Sequence, residues 1–83
     1  MSSENIRRLE ALVDDGELDE TSMVLVIGAY NTHALHPNLW VDIERDPTIE
    51  LGSMEAILVM AGIEIPWKTV EKGSSNILDS GPN

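Results

Sequence analysis

With 83 residues and no Cys, the chain has material for one domain but not for two with separate cores, and none for a disulfide framework, a thiolate zinc site or a Cys nucleophile. Fifteen Asp and Glu against five Lys and Arg leave a formal charge of −10, which repels nucleic-acid phosphates and anionic membrane surfaces alike. An apolar fraction of 42% is close to that of an ordinary folded domain and argues against disorder for the body of the chain.

The first helix is expected to start at a Ser2 or Ser3 cap and to run to about Val13. Ile6, Leu9, Leu12 and Val13 fall on one of its faces, and Glu4 stands four residues before Arg8 in the favourable order for a helical ion pair. Asp14-Asp15-Gly16 ends it, with Gly16 free to take the left-handed backbone of a helix C-terminus. From Asp14 to Glu20 five of seven residues are acidic.

Residues 21–35 admit two readings. Met23-Val24-Leu25-Val26-Ile27 is rich in β-branched residues and suits a buried strand. Against that, Asp19, Thr21 and Ser22 are all competent helix caps, and Met23, Ile27, Tyr30 and Ala34 share a helical stripe. The apolar pattern continues past Gly28 to Leu35, a length that favours the helix.

Two prolines mark further starts. His36-Pro37 and Asp46-Pro47 each place Pro where a first helical residue belongs, its missing N–H costing nothing there. Leu39, Trp40 and Ile43 follow the first on one face. Ile49, Met54, Ile57, Leu58 and Ala61 follow the second, with a break at Gly52-Ser53 where Ser53 recaps the helix. Gly62 followed by Ile63 is a helix stop. Residues 63–67 are extended by pattern, and Pro66 bars them from a central strand. From Lys72 the composition is that of a tail.

The expected fold is therefore mainly α: one domain over residues 1–71, built as a small four-helix orthogonal bundle with a short extended segment, and a flexible C-terminal tail at 72–83. The alternative is α+β, with a small antiparallel sheet from residues 23–27, 39–43 and 63–67, since Leu39, Val41 and Ile43 alternate as a strand would.

Candidate chemistry is sparse. His33 and His36, three apart, would share a helical face, with Asp42 and Glu44 as further ligands, but Pro37 turns the chain at His36 and no metal-ligand spacing is present. The acidic run lacks a calcium loop's order, because its glycine comes third and Leu18 takes a ligand position. No nucleophile elbow, phosphate loop or dinucleotide fingerprint occurs, and a small helical domain leaves little room for a pocket. No catalytic residue, metal or cofactor is expected. The start of the chain lacks the basic and apolar segments of a signal peptide, and the longest apolar run is too short to span a bilayer, so the expected location is cytoplasmic.

What remains is binding. Asp14, Asp15, Glu17, Asp19 and Glu20 form an acidic patch suited to Lys and Arg of a basic protein partner, and Trp67, after Pro66 and near the tail, is the expected interface anchor, while Trp40 is expected in the core. The leading expectation is a non-enzymatic acidic interaction protein of the inhibitor, antitoxin-like or nucleic-acid-mimic kind. The first alternative is an accessory subunit that buries the apolar 23–27 run in an oligomer, a homodimer included. The second is a precursor presenting its tail to a modifying enzyme.

Overall fold

The computed structural model describes residues 1–68, and these are mainly helical, with no strand among them. Four helices follow one another: α1 (Ser3–Asp14), α2 (Glu20–Leu35), α3 (Pro37–Arg45) and α4 (Leu51–Met60). Residues 66–68 are helical again. The expected tail lies outside the described residues. No helix among those described is long and apolar enough to cross a membrane.

Each boundary has a local cause. Ser2 caps α1, its hydroxyl accepting from the Asn5 N–H at 3.2 Å. At the other end Gly16 takes φ +78°, while its own N–H reaches the Val13 carbonyl and that of Glu17 the Leu12 carbonyl. That is the Schellman arrangement, which satisfies carbonyls the helix leaves over. The same arrangement ends α4: Gly62 stands at φ +74°, its N–H bonds Val59 O, and Ile63 N–H bonds Leu58 O.

The ambiguous segment is helix, and α+β falls with it. Asp19 caps α2 twice over, accepting from Ser22 N–H at 3.2 Å and from Ser22 Oγ at 2.7 Å. Residues 23–27 then continue a helix of 16 residues, a length over which hydrogen bonding along the chain outweighs the modest helical cost of Val and Ile. Residues 39–43 lie within α3, so their alternation has no partner strand.

α2 ends at an elbow. Pro37 keeps His36 out of helical backbone (φ −135°, ψ 70°), and His36 serves as last cap of α2 and first cap of α3. Pro37 occupies the first turn of α3, as its missing N–H allows.

The second proline behaves differently, which corrects the expected start. Asp46 Oδ1 accepts from Thr48 N–H at 2.9 Å and from Thr48 Oγ1 at 2.6 Å, closing a side-chain turn in place of a helical one. The helix begins only at Leu51 and runs without a break through Gly52 and Ser53. The extended segment is also shorter than expected. Residues 63–65 are irregular, and Pro66 opens the next helical turn, where Lys68 N–H bonds Ile65 O at 3.2 Å.

Leu9, Leu18, Val26, Leu58 and Ile63 form the buried cluster, flanked by Met23, Ile27, Tyr30, Met54 and Ile57. α2 is the hub, packing against α1, α3 and α4 in turn. Being central, α2 is apolar around its whole circumference through residues 23–27, with Val26 buried there and Ala29 beyond. Yet so few other elements cannot cover it, and Val24 and Leu25 stay 59% and 56% exposed.

Candidate functional site

Two surfaces meet at α2. The first is the acidic turn. Asp14 is the last residue of α1, Asp15 its C-cap, and Gly16 the left-handed residue that reverses the chain. Glu17 follows, then Leu18, whose side chain is buried in the core. Asp19 and Glu20 open α2. Leu18 thus pins the turn, and all five acids around it are exposed.

The two ends of that turn are electrostatically unequal. Asp19 and Glu20 sit at a helix N-terminus, where free N–H groups favour negative charge. Asp14 and Asp15 sit where α1 leaves its carbonyls, and no basic residue occupies that last turn. Among the described residues no Lys or Arg pairs with any of the five; the ion pairs there join Arg8 to Glu4 at 3.0 Å and Lys68 to Glu55 at 3.3 Å. The fold therefore holds the sequence-expected acidic residues exposed around one turn, with no ion pair to a cation among the described residues.

The hydrogen bonds from Ser22, first its hydroxyl and then its N–H, hold the Asp19 carboxyl below the ordinary aspartate range. Thr48 does the same to Asp46, hydroxyl first. Because both values are depressed in the folded chain, what they contribute is present above the ordinary aspartate pKa and lost as pH falls through the lowered one.

Trp67 packs against Trp40 at the edge of the core. The ring is half-buried against the core, its centroid 4.7 Å from that of Trp40, and Nε1 donates to Glu55 Oε2 at 2.6 Å. His33 meets both rings edge-on, at 5.4 Å from Trp40 and 6.1 Å from Trp67. The helical turn that starts at Pro66 carries Trp67 back over α4, where Glu55 accepts its indole N–H. Trp40 is buried as expected. His36 stands apart at the elbow, and among the described residues no three His, Asp or Glu side chains gather as a metal site.

The second surface escaped the sequence reading. Between α2 and the α3–α4 connection lies an open groove of about 740 Å³, against the expectation that so small a domain has little room. Val24, Leu25, Ile43, Ile49, Met54 and Ile57 give it apolar walls. Gly28 lies on its α2 side, and a Cβ built there would meet nothing within 4 Å. The polar lining comes from Ser22, Thr32, Thr48, Glu50 and Ser53, with no Lys, Arg or His. The signals available in the sequence were the unbroken apolar run at 23–27 and the isolated Gly28. The side left uncovered depends on how α3 and α4 pack, which periodicity does not state.

No family model matches the chain, and neither a curated protein nor a solved structure is significantly similar to it.

Proposed function

We propose that this chain is a non-enzymatic binding protein, acting in the cytoplasm, whose acidic surface engages a basic surface of another protein and so inhibits or modulates it. The observation that carries this is the pair Asp14 and Asp15 at the carbonyl end of α1, extended by Glu17, with no cation of the described residues to offset them. A helix end that gathers like charge at its negative pole is more stable once a cation arrives. The field of a chain at −10 would steer a basic partner toward it and speed encounter. A target that itself binds nucleic acid fits best, because carboxylates then take the place of phosphates before the same Lys and Arg.

The test compares the native chain with a variant carrying Asp14→Asn, Asp15→Asn, Glu17→Gln, Asp19→Asn and Glu20→Gln, each immobilised and exposed to host lysate at low and high salt. Asn keeps the cap at position 19. A basic protein held by the native chain at low salt, released at high salt and not held by the variant is the expected result. Equal capture by both chains would overturn the proposal.

One observation favours a second reading, an accessory subunit that associates through apolar surface: Val24 and Leu25 stand more than half exposed on the central helix. Association of that kind persists at high salt, where electrostatic capture fails.

A further inference from the structure

The polar side chains that line the groove beside α2 share one chemical sense. Four hydroxyls line it, and each spends its proton inward: Ser22 Oγ on Asp19 Oδ1, Thr32 Oγ1 on Gly28 O, Thr48 Oγ1 on Asp46 Oδ1, and Ser53 Oγ on Glu50 Oε1. A hydroxyl has one proton, so what these groups offer outward is lone pairs. The carboxylates they hold add more acceptors, and no lining residue supplies a positive charge. An apolar trough whose polar side chains present acceptors is complementary to an apolar ridge flanked by side-chain donors that carry positive charge.

We propose that this groove docks a basic amphipathic helix of the partner, its apolar stripe against Val24, Leu25, Ile49 and Met54 and its flanking Lys or Arg on Asp19, Asp46 and Glu50. The inference rests on the basic-partner reading above and names the form in which the partner binds. A helix laid in a groove uses side chains at i, i+3, i+4 and i+7, the pattern that an open trough accepts and a closed pocket does not. Gly28 suits it too. Mid-helix Gly is poor for α2 by itself, and with open space over its Cα no contact within the described residues requires it. It leaves the α2 wall low where a partner's side chain would enter.

Charge decides among occupants. A second copy would set −10 against −10 across the contact. Residues 69–83 of the chain offer Lys72 against Glu71 and Asp79, and so bring no positive surplus. A basic helix of another protein brings both what the walls need and what the rim needs.

The experiment titrates the full chain into fluorescently labelled helical peptides of about 18 residues, five turns, with Leu at i, i+3, i+4 and i+7 and either Lys or Glu elsewhere. Anisotropy gives the affinity. The Leu/Lys peptide is expected to bind and the Leu/Glu peptide not. Val24→Ser with Leu25→Ser, both on exposed positions, should weaken the Leu/Lys peptide about tenfold or more, as should Gly28→Leu, which fills the trough. The circular dichroism of each variant is checked first. The loss should remain at high salt, whereas the loss on neutralising the α1–α2 turn should shrink there.

Three results would overturn the inference. Binding lost on neutralising the turn but untouched by Val24→Ser, Leu25→Ser and Gly28→Leu removes the groove and leaves the acidic-surface reading standing. Self-association that Leu25→Ser abolishes, seen by sedimentation, gives the groove to a second copy. Failure of the Leu/Lys peptide to bind better than the Leu/Glu peptide removes both readings.

Discussion

α1 and α4 end in the same backbone motif, and the chain treats the two ends in opposite ways. Both place Gly at the left-handed position, φ +78° at Gly16 and +74° at Gly62, and both close the same pair of hydrogen bonds behind it. After Gly62 comes Ile63, buried at 5% exposure, and Arg8 reaches across from α1 to donate to the Gly62 carbonyl at 2.8 Å. After Gly16 comes Glu17, exposed, with Asp14 and Asp15 before it and no basic residue in the last turn of α1. One end enters the core at once through Ile63, the other only a residue later through Leu18, leaving Asp14, Asp15 and Glu17 exposed around its glycine. On the binding reading proposed above, those charges are kept for a partner and cost the helix end some stability until it arrives.

The sharpest way to break that comparison is to truncate the same position of the two motifs. Ile63→Ala removes a buried side chain from the main cluster and should cost about 2–4 kcal/mol, a large part of the stability of so small a domain. Glu17→Ala, its structural counterpart, should change stability by no more than about 0.5 kcal/mol. Urea unfolding monitored by circular dichroism reads both. Costs within a factor of two of each other would mean that the two ends do the same job.

The next effect should be equal at the two ends. Gly16→Ala and Gly62→Ala each force an L side chain into left-handed backbone, at about 1–2 kcal/mol. A Cβ at Gly16 meets nothing within 4 Å, and one at Gly62 only Arg8 Nη1 at 3.5 Å, an ordinary contact. Backbone strain alone should therefore set both values. A Gly62→Ala cost several times that of Gly16→Ala would show that the Arg8 bond, and not the backbone, governs the second end.

Both of these ends were legible in the sequence, and so was the cap of α1, because a helix boundary is set by residues within one turn of it. Gly16, Gly62 and Ser2 act alone. Asp19 also acts locally, and its bonds to Ser22 settle the choice between strand and helix at 23–27 that composition left open. The same local logic failed at Asp46-Pro47, where two valid motifs compete for one residue: Pro47 suits a first helical position, but the Asp46 carboxylate closes on Thr48 and delays α4 to Leu51. The packing of Trp67 and the groove were illegible for another reason. Each depends on where one element lands on another, Trp67 on the turn that folds it toward Glu55 and the groove on the side of α2 that α3 and α4 leave open. Periodicity tells how much apolar surface an element has. It does not tell which part of that surface goes uncovered.

The smallest effect carries the functional content of the comparison. Asp14→Asn with Asp15→Asn removes two negative charges from the carbonyl end of α1 while keeping the size and shape of both side chains. If the α1 end bears an electrostatic cost, the variant should be more stable than the native chain, with Tm higher by roughly 2–5 °C at low salt. High salt should erase most of the difference, since both groups are exposed and their interaction with the helix end is screened. Losing acidity to gain stability is the signature of a surface kept for something other than the fold, and the same variant should bind a basic partner less well. A variant no more stable than the native chain, or one whose gain survives high salt, would mean that Asp14 and Asp15 cost the helix nothing, and the contrast between the two glycine-ended helices would then lie only in what packs behind them.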